Sequence, residues 1–460
     1  MKIIVVLLIL CIAGRSFASN VYIHGQWRNG PAFAVLNFCE DAATARFSRL
    51  TSKIDSLDNS FEFHLDLANP TILTIADQFV IVEPGDSVSV EVNQIGSAVS
   101  VNFLGNKSLL HNFLMKLWEQ IKPFPVYKYS LTDSISLGKY KEAATNHFDS
   151  CLAFLTKYFE TEDESSENIS RELLTTRFYN DLLYPITVGV SKEKLPIGYF
   201  DRIDAEFFKK ENLVGFREFI LLVLYYNTLC KSSIPRFSYD SAVAEAHIIS
   251  AYKSFDGTVR DNLLLSIFTQ LTERGSRQNQ TQIDQLYKYL TAAFPHQNDR
   301  TKQISEFKRT FEIIERPLPS EILAQSVIDR NGHSISLNEV LSRDQVIYVD
   351  FWASWCGPCI QEMPTEKDLM SQMKGHKIKF VLISLDENKQ KWLKAVARVN
   401  VDGEHYLISE GFKSAIVQYL AFNEIPRYVI FDRNGRLKSR NAPRPGYILK
   451  NKSVLLNLVD

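Results

Sequence analysis

Two cysteines, Cys356 and Cys359, have the type and spacing that thiol–disulfide chemistry requires. They flank Gly357 and Pro358, follow an apolar stretch typical of a buried strand, and precede a stretch with helical periodicity. We therefore expect Cys356 at the amino-terminal end of a helix, where free N–H groups and the helix dipole lower the thiol pKa. A Cys356 thiolate can attack a disulfide in a partner, and Cys359 can then resolve the mixed disulfide, which leaves the partner reduced.

Other interpretations of the cysteine pair have less support in the sequence. A structural zinc site usually needs four ligands, and neither a second cysteine pair nor a nearby histidine pair is present. A purely structural disulfide or a chance pair in an inactive domain stays open. The nine histidines have no metal-ligand spacing, and no glycine-rich phosphate loop or Ser/His/Asp motif is found. We therefore expect neither a metal nor a cofactor.

The sequence around the pair resembles a known family. The segment 349–359, VDFWASWCGPC, is similar to the active-site segment of thioredoxins, and the continuation IQEMP at 360–364 resembles the TlpA/ResA branch of exported envelope oxidoreductases. The resemblance covers about residues 320–460. More weakly, the preceding region resembles the β-sandwich extension found before such domains in some envelope bacteria.

The resemblance assigns roles to two carboxylates. Asp350, six residues before Cys356, matches the buried carboxylate that helps to take the proton from the second thiol in thioredoxins. Burial on a strand should raise the pKa of Asp350, which suits a general base near neutral pH; the alternative is a partly solvated aspartate at a strand end. Glu362, three residues after Cys359, matches an active-site glutamate of the ResA type, and its alternative is an ordinary exposed helix acid.

The resemblance also implies a substrate-binding surface. Ile425 and Pro426 match the cis-proline loop that faces the cysteine pair and presents backbone groups to an extended substrate segment. The other residues of this surface are Trp355, Gly357 and Pro358. We expect the neighbouring Arg427 to be exposed to solvent, and the acids Asp386 and Glu387 at a strand end to be solvated.

The elements that must position these residues form a multi-domain chain. Period-two alternation, as at 61–67 and 88–92, predicts a β-rich, sandwich-like domain with antiparallel strands over residues 19–105. Helical periodicity then predicts an α-helical region at 106–316, and the break at 316–320 begins a C-terminal α/β domain at 317–460, for which the resemblance implies the thioredoxin-like fold. In that domain the expected order from residue 345 is β-α-β-α-α-β-β-α.

The first residues predict export. The segment 1–18 has the pattern of a secretory signal peptide, with a basic residue at Lys2, an apolar stretch at 3–14 and small residues at Ser16 and Ala18. No later apolar stretch reaches the length of a membrane span, so we expect no transmembrane segment in the mature chain. The three remaining cysteines, Cys39, Cys151 and Cys230, are expected to be buried free thiols.

Composition limits the partners. The 52 basic and 53 acidic residues nearly cancel, which excludes a general basic field for nucleic acid.

The hypothesis from the cysteine pair, the resemblance and the first residues is an exported thiol–disulfide oxidoreductase of the periplasm or cell envelope. It would reduce disulfide-containing envelope proteins with electrons from a membrane donor. The alternatives are an envelope binding protein with an accessory redox domain, a disulfide isomerase, and a thiol peroxidase.

Overall fold

The computed structural model describes residues 20–160, 163–231, 240–295, 298–341 and 344–459. The expected signal peptide at 1–18 lies outside the described residues. The chain divides into two compact units, Met1–Arg236 with His247–Ser266, and Phe237–Ala246 with Ile267–Asp460. The boundaries expected from the sequence at 105–106 and 316–317 stay predictions.

The first unit begins with two four-stranded sheets, ordered β4-β1-β7-β8 and β3-β2-β5-β6. The strands are β1 Val21–Arg28, β2 Phe33–Asp41, β3 Arg46–Lys53, β4 Ser60–Leu65, β5 Thr71–Ile75, β6 Gln78–Val82, β7 Ser87–Ile95 and β8 Ala98–Leu104. Apolar residues at alternate positions of both sheets bury into one hydrophobic core. The predicted sheet-rich region is confirmed.

One strand pairing departs from the expected antiparallel arrangement. β1 pairs with β4 in the antiparallel sense, but with β7 in the parallel sense. Parallel neighbours cannot be joined by a tight hairpin and need a long connection. That connection exists here because β2 to β6 intervene between the two strands in the chain.

Helices follow the sheets, as the periodicity predicts. They are α1 Ser108–Gln120, α2 Ser134–Tyr158, α3 Glu164–Thr187, α4 Arg217–Tyr226, α5 Ser241–Ser254, α6 Gly257–Arg274, α7 Gln280–Ala293 and α8 Asn298–Glu312. Of these, α5 and α6 cross from one unit to the other, and α7 and α8 belong to the second unit. Among the described residues, no helix combines the length and the apolar character needed to cross a bilayer.

The second unit contains a seven-stranded mixed sheet, ordered β10-β9-β13-β12-β11-β14-β15. Its strands are β9 Ser326–Asp329, β10 Ser334–Ser336, β11 Val346–Trp352, β12 Ile378–Ser384, β13 Glu404–Leu407, β14 Arg427–Phe431 and β15 Leu437–Ser439. Its helices are α9 Ser320–Leu323, α10 Leu337–Val340, α11 Gly357–Gln372, α12 Lys389–Val399, α13 Ala415–Leu420, α14 Pro445–Lys450 and α15 Ser453–Leu456. The expected α/β order holds with two differences: the short strand β13 was not predicted, and the closing helix is divided into α14 and α15.

The central strand β11 positions the site. All seven of its residues are buried, which is typical of a strand covered on both faces. Val346, Tyr348 and Trp352 pack in one core with Cys359 and Met363 of α11. Because side chains alternate along a strand, Asp350 lies on the same face of β11, toward α11.

Candidate active site

Cys356 and Cys359 form a disulfide at the start of α11. Cys356 is the N-cap residue, and the backbone N–H of Cys359 points at Cys356 Sγ over 3.2 Å. In the reduced protein this N–H and the positive end of the helix dipole stabilise a Cys356 thiolate. The expected placement of Cys356 at a helix amino terminus is therefore found.

The two sulfurs differ in their surroundings. The residue exposure is 5 % for Cys356 and 1 % for Cys359. Cys356 Sγ lies 3.7 Å from the carbonyl oxygen of Ile425, in the loop before β14. The Ile425–Pro426 peptide bond in that loop is cis. Cys356 is thus the sulfur nearer to an incoming partner, and Cys359 is enclosed by α11 and the sheet.

An apolar rim surrounds the disulfide. Trp355 is 60 % exposed, and its ring lies 6.4 Å from that of Phe412. Gly357 and Pro358 are exposed as well. Ile425 and Pro426 are half-buried on the facing loop. All five residues expected at the substrate surface therefore lie close to Cys356 or in the loop that contacts it.

Asp350 is enclosed in the protein, behind the disulfide. The side chain is 1 % exposed and faces α11 from β11, so the alternative of a solvated strand-end aspartate is wrong. Burial raises the pKa of the Asp350 carboxyl, since a charge is poorly solvated there. The negative charge of Glu362 raises this pKa further, whereas a hydrogen bond with Glu366 lowers it.

Glu366 is a site residue that the sequence analysis missed. It is 1 % exposed and shares the buried face of α11 with Cys359 and Met363, at helical spacing. Burial, the charge of Asp350 and the hydrogen bond with Asp350 all raise the pKa of Glu366 well above the usual range of a glutamate. The available signal was the position: counting i+4 and i+7 from Cys359 puts this acid where an apolar residue is expected.

Glu362 occupies an intermediate position on α11. Its side chain is 21 % exposed and accepts a 3.1 Å hydrogen bond from Arg444 Nη1. It is therefore neither a fully exposed helix acid nor a buried one. A role in catalysis stays a prediction.

Asp386 is buried, and its expected solvation is wrong. The residue is 2 % exposed and its carboxylate accepts hydrogen bonds from Ser354 N at 2.8 Å, Ser354 Oγ at 2.6 Å and Ser384 Oγ at 2.7 Å. Glu387 is exposed. The three donors compensate the desolvation of the carboxylate. Asp386 thereby anchors the turn that carries Ser354 just before Cys356.

We expect Asp386→Ala to lower the free energy of unfolding by about 2–3 kcal/mol, because it leaves the buried hydroxyl of Ser384 and the half-buried donors of Ser354 without an acceptor. Urea denaturation of the full chain measures this. The matched control is Glu387→Ala, whose exposed side chain should contribute less than about 0.5 kcal/mol. Equal stability of the two variants would show that the Asp386 network does not hold the turn.

Arg427 is also buried, contrary to the expected exposure. Only 8 % of the residue is exposed, and the guanidinium lies 2.9 Å from Glu424 Oε1 and 5.6 Å from the centre of the Phe422 ring. The physical reason is its place at the start of β14, where the neighbouring strands and loops cover the side chain. The ion pair and the aromatic face compensate part of the lost hydration.

The three remaining cysteines are free thiols. Cys39 and Cys151 are buried and Cys230 is half-buried, which corrects the expected full burial of Cys230. Burial raises the pKa of each of the three thiols to about 11, so they are poor nucleophiles at neutral pH. Within the described ranges, no group of three or more His, Cys, Asp or Glu side chains is arranged to hold a metal ion.

Comparison with known proteins places this site among redox domains. The model of a family described as thioredoxin-like matches residues 344–437. Thioredoxin 1 of Nostoc sp. is 48 % identical over 52 residues, which are 11 % of this chain and 48 % of that protein. Thioredoxin of Bacillus subtilis is 40 % identical over 74 residues, which are 15 % of this chain and 70 % of that protein. The chain spans about half the length of most of the curated relatives that it matches.

Solved structures match the same part of the chain. A proposed thiol–disulfide oxidoreductase of Bacteroides vulgatus is 33 % identical, with 31 % of this chain and 92 % of that chain covered and a TM-score of 0.27. A thiol–disulfide oxidoreductase of Bacteroides fragilis is 23 % identical, with 28 % and 96 % covered and a TM-score of 0.26.

Proposed function

The chain belongs to the thioredoxin-like family, and from this premise we propose that it is a thiol–disulfide oxidoreductase that reduces disulfides in other proteins. The observation that carries the proposal is the Cys356–Cys359 disulfide at the amino terminus of α11. When a disulfide at a helix start is reduced, the helix stabilises the thiolate of the first cysteine. The second cysteine can then attack the first sulfur in a mixed disulfide and release the substrate. No described metal or cofactor site is needed for this exchange.

The reaction cycle uses the asymmetry of the two sulfurs. The Cys356 thiolate attacks a disulfide of the substrate, so that a mixed disulfide forms and one substrate thiolate leaves. Cys359 then gives its proton to the Asp350 carboxylate and attacks Cys356 Sγ. The bond between Cys356 and the substrate breaks, and its electron pair leaves with the second substrate thiolate. The substrate has gained two electrons, and the Cys356–Cys359 disulfide is restored.

The apolar rim supports recognition of an extended substrate segment. Trp355, Gly357 and Pro358 border the disulfide on one side, and Ile425 and Pro426 on the other. Such a segment can contact backbone groups of the loop before β14, in the manner of an added strand. Glu362, near the carboxyl pair and fixed by Arg444, would influence the proton transfer through its charge.

We also propose a compartment and partners for the protein. The pattern at 1–18 supports export to the periplasm or cell envelope, with disulfide-containing envelope proteins as substrates. A reductant in an oxidising compartment needs an electron supply, so we include a membrane donor. The two sheets that share one core support a sandwich domain at 19–105, followed by a helical region at 106–316 and the redox domain at 317–460.

A reduction assay tests the proposed function. We expect the full chain, reduced with dithiothreitol and freed of it, to reduce the interchain disulfides of insulin and to end with Cys356–Cys359 oxidised. Turbidity of the released insulin chains and thiol counting measure the two products. A redox titration against glutathione gives the direction: a potential near the oxidising end of thioredoxin-fold values contradicts a reductant. A chain that leaves insulin intact contradicts the proposal as a whole.

A further inference from the structure

We propose that Glu366 is a positioning residue that stays protonated and donates a hydrogen bond to Asp350, so that Asp350 can accept the proton of Cys359. The inference rests on the proposed function, because it concerns the second half of that cycle. It gives a task to an acid on the buried face of α11, where a helix packed on a sheet normally places an apolar side chain.

The first support is the geometry of the layer between β11 and α11. Asp350 points into this layer from the strand, and Glu366 from the helix, two turns after Cys359. Both residues are 1 % exposed, and a hydrogen bond between the two carboxyls contributes to the pKa shift of each. Asp350 Oδ1 and Glu366 Oε2 have no hydrogen-bond partner elsewhere among the described residues. Two carboxylates in contact away from water cannot both be charged, so a proton lies between them.

The second support is the shortage of other donors. No amide or hydroxyl group of the described residues donates to Asp350 Oδ1. Two tyrosines are near the pair, but the hydroxyl of Tyr348 donates to the carbonyl oxygen of Pro443 over 2.8 Å. The buried hydroxyl of Tyr428, which faces Asp350 across the β11–β14 pair, has no partner among the described residues. Protonated Glu366 and the Tyr428 hydroxyl are therefore the two groups that can donate to an ionised Asp350, and the hydrogen bond between Asp350 and Glu366 favours Glu366.

The direction of the proton follows from the surroundings. Burial raises the pKa of both carboxyls, and the charge of Asp350 holds the pKa of Glu366 well above the usual range of a glutamate. In this proposal Glu366 keeps the proton and Asp350 is the acceptor. The titratable or charged groups facing the pair from the packed elements are Glu362 on α11, Tyr348 on β11, Tyr428 on β14 and Arg444 before α14.

The proton balance of the second half-reaction is then complete. The Cys359 S–H bond breaks and its proton moves to Asp350, while Glu366 retains its own proton. The new Cys359–Cys356 bond replaces the bond between Cys356 and the substrate, whose thiolate leaves with the electron pair. Both carboxyls are neutral after the step, and the pair returns to one proton by releasing the other to water.

The test is the pH profile of this step. The reduced full chain reacts with 5,5′-dithiobis(2-nitrobenzoate), and the second thionitrobenzoate released reports the attack by Cys359. At acidic pH the rate falls because Asp350 is protonated. Loss of the donor in Glu366→Leu should move this acidic limb about one pH unit to higher pH, a tenfold fall in rate at a pH on the limb. Glu366→Gln, whose amide can donate, should restore the wild-type limb.

Two further variants test the direction of the pH shift and provide a control. Glu362→Gln removes a negative charge that raises the pKa of Asp350, so the limb should move to lower pH. Asp368→Asn, an exposed acid on the same helix, should leave the profile unchanged. A purely structural role for Glu366 would instead lower the rate equally at all pH values.

The outcomes separate this inference from the proposed function. If the wild type is active but Glu366→Leu has an unshifted limb, or Glu366→Gln shifts like Glu366→Leu, the inference is overturned and the function stands. If the wild type releases no second thionitrobenzoate, the function fails. Titration of the Asp350 carboxyl by carbon NMR in the reduced chain then decides the inference alone: a higher Asp350 pKa in Glu366→Leu than in Glu366→Gln supports it, and equal values overturn it.

Discussion

Replacing Cys356 with serine should abolish the reduction of insulin disulfides, with a fall in rate of at least about 1,000-fold. The reason is that the N-cap position favours an anion, yet a serine hydroxyl stays protonated at neutral pH and cannot form a stable covalent link with sulfur. Cys359 cannot substitute for it, because Cys359 is 1 % exposed beneath the helix start. The turbidimetric insulin assay on the full-length variant measures the loss.

The matched control is a second cysteine outside the pair. Cys230→Ser alters a half-buried free thiol whose pKa burial raises to about 11, so its activity should equal that of the wild type. The expected contrast is complete loss in one variant and none in the other. Full activity of Cys356→Ser would remove Cys356 from the reaction and contradict the assignment of the Cys356–Cys359 pair as the redox centre.

The local chemistry of the site could be predicted because it is encoded in neighbouring residues. An apolar strand, a two-residue spacing between cysteines and a following helical pattern are sufficient to place Cys356 at a helix start. The same stretch predicts burial of Asp350, since β11 is apolar at all its other positions. The periodicity of one strand and one helix is sufficient for both predictions.

The carboxyl partners of the site could not be predicted in this way. Asp386 looks like a solvated strand end until the fold brings Ser354 within 2.8 Å of it. Glu366 looks like one acid among several on α11 until the register of that helix over β11 is known. Each of the two carboxyls is buried beside a residue that is distant in sequence. The hydrogen bond with that residue compensates the desolvation of the carboxyl.

Strand pairing was the other feature that the sequence could not predict. Alternation identifies β1 and β7 as strands but is identical for parallel and antiparallel neighbours, so their parallel pairing was not visible. The four-residue strand β13 was missed for a related reason, because so short a segment shows too little alternation to stand out. Pairing partners, rather than residue patterns, determine both features.

Replacing Cys359 with serine should trap the substrate. Cys356 remains at the helix start and attacks a disulfide as before, but the group that resolves the mixed disulfide is missing. We expect the covalent complex to accumulate at least about tenfold above the wild-type level, since the wild type resolves it internally. Non-reducing electrophoresis of the full chain after mixing with an insulin or envelope-protein disulfide detects the complex.

Three features distinguish this trap from adventitious cross-linking. Dithiothreitol should release the partner, and the Cys356→Ser, Cys359→Ser double variant should form no complex. Mass spectrometry of the trapped peptide should place the link on Cys356, which is the sulfur beside Ile425 and the exposed Trp355. A link at Cys39, Cys151 or Cys230 would contradict the assigned order of attack, because burial raises the pKa of those three thiols and leaves Cys356 the thiol that a helix terminus activates.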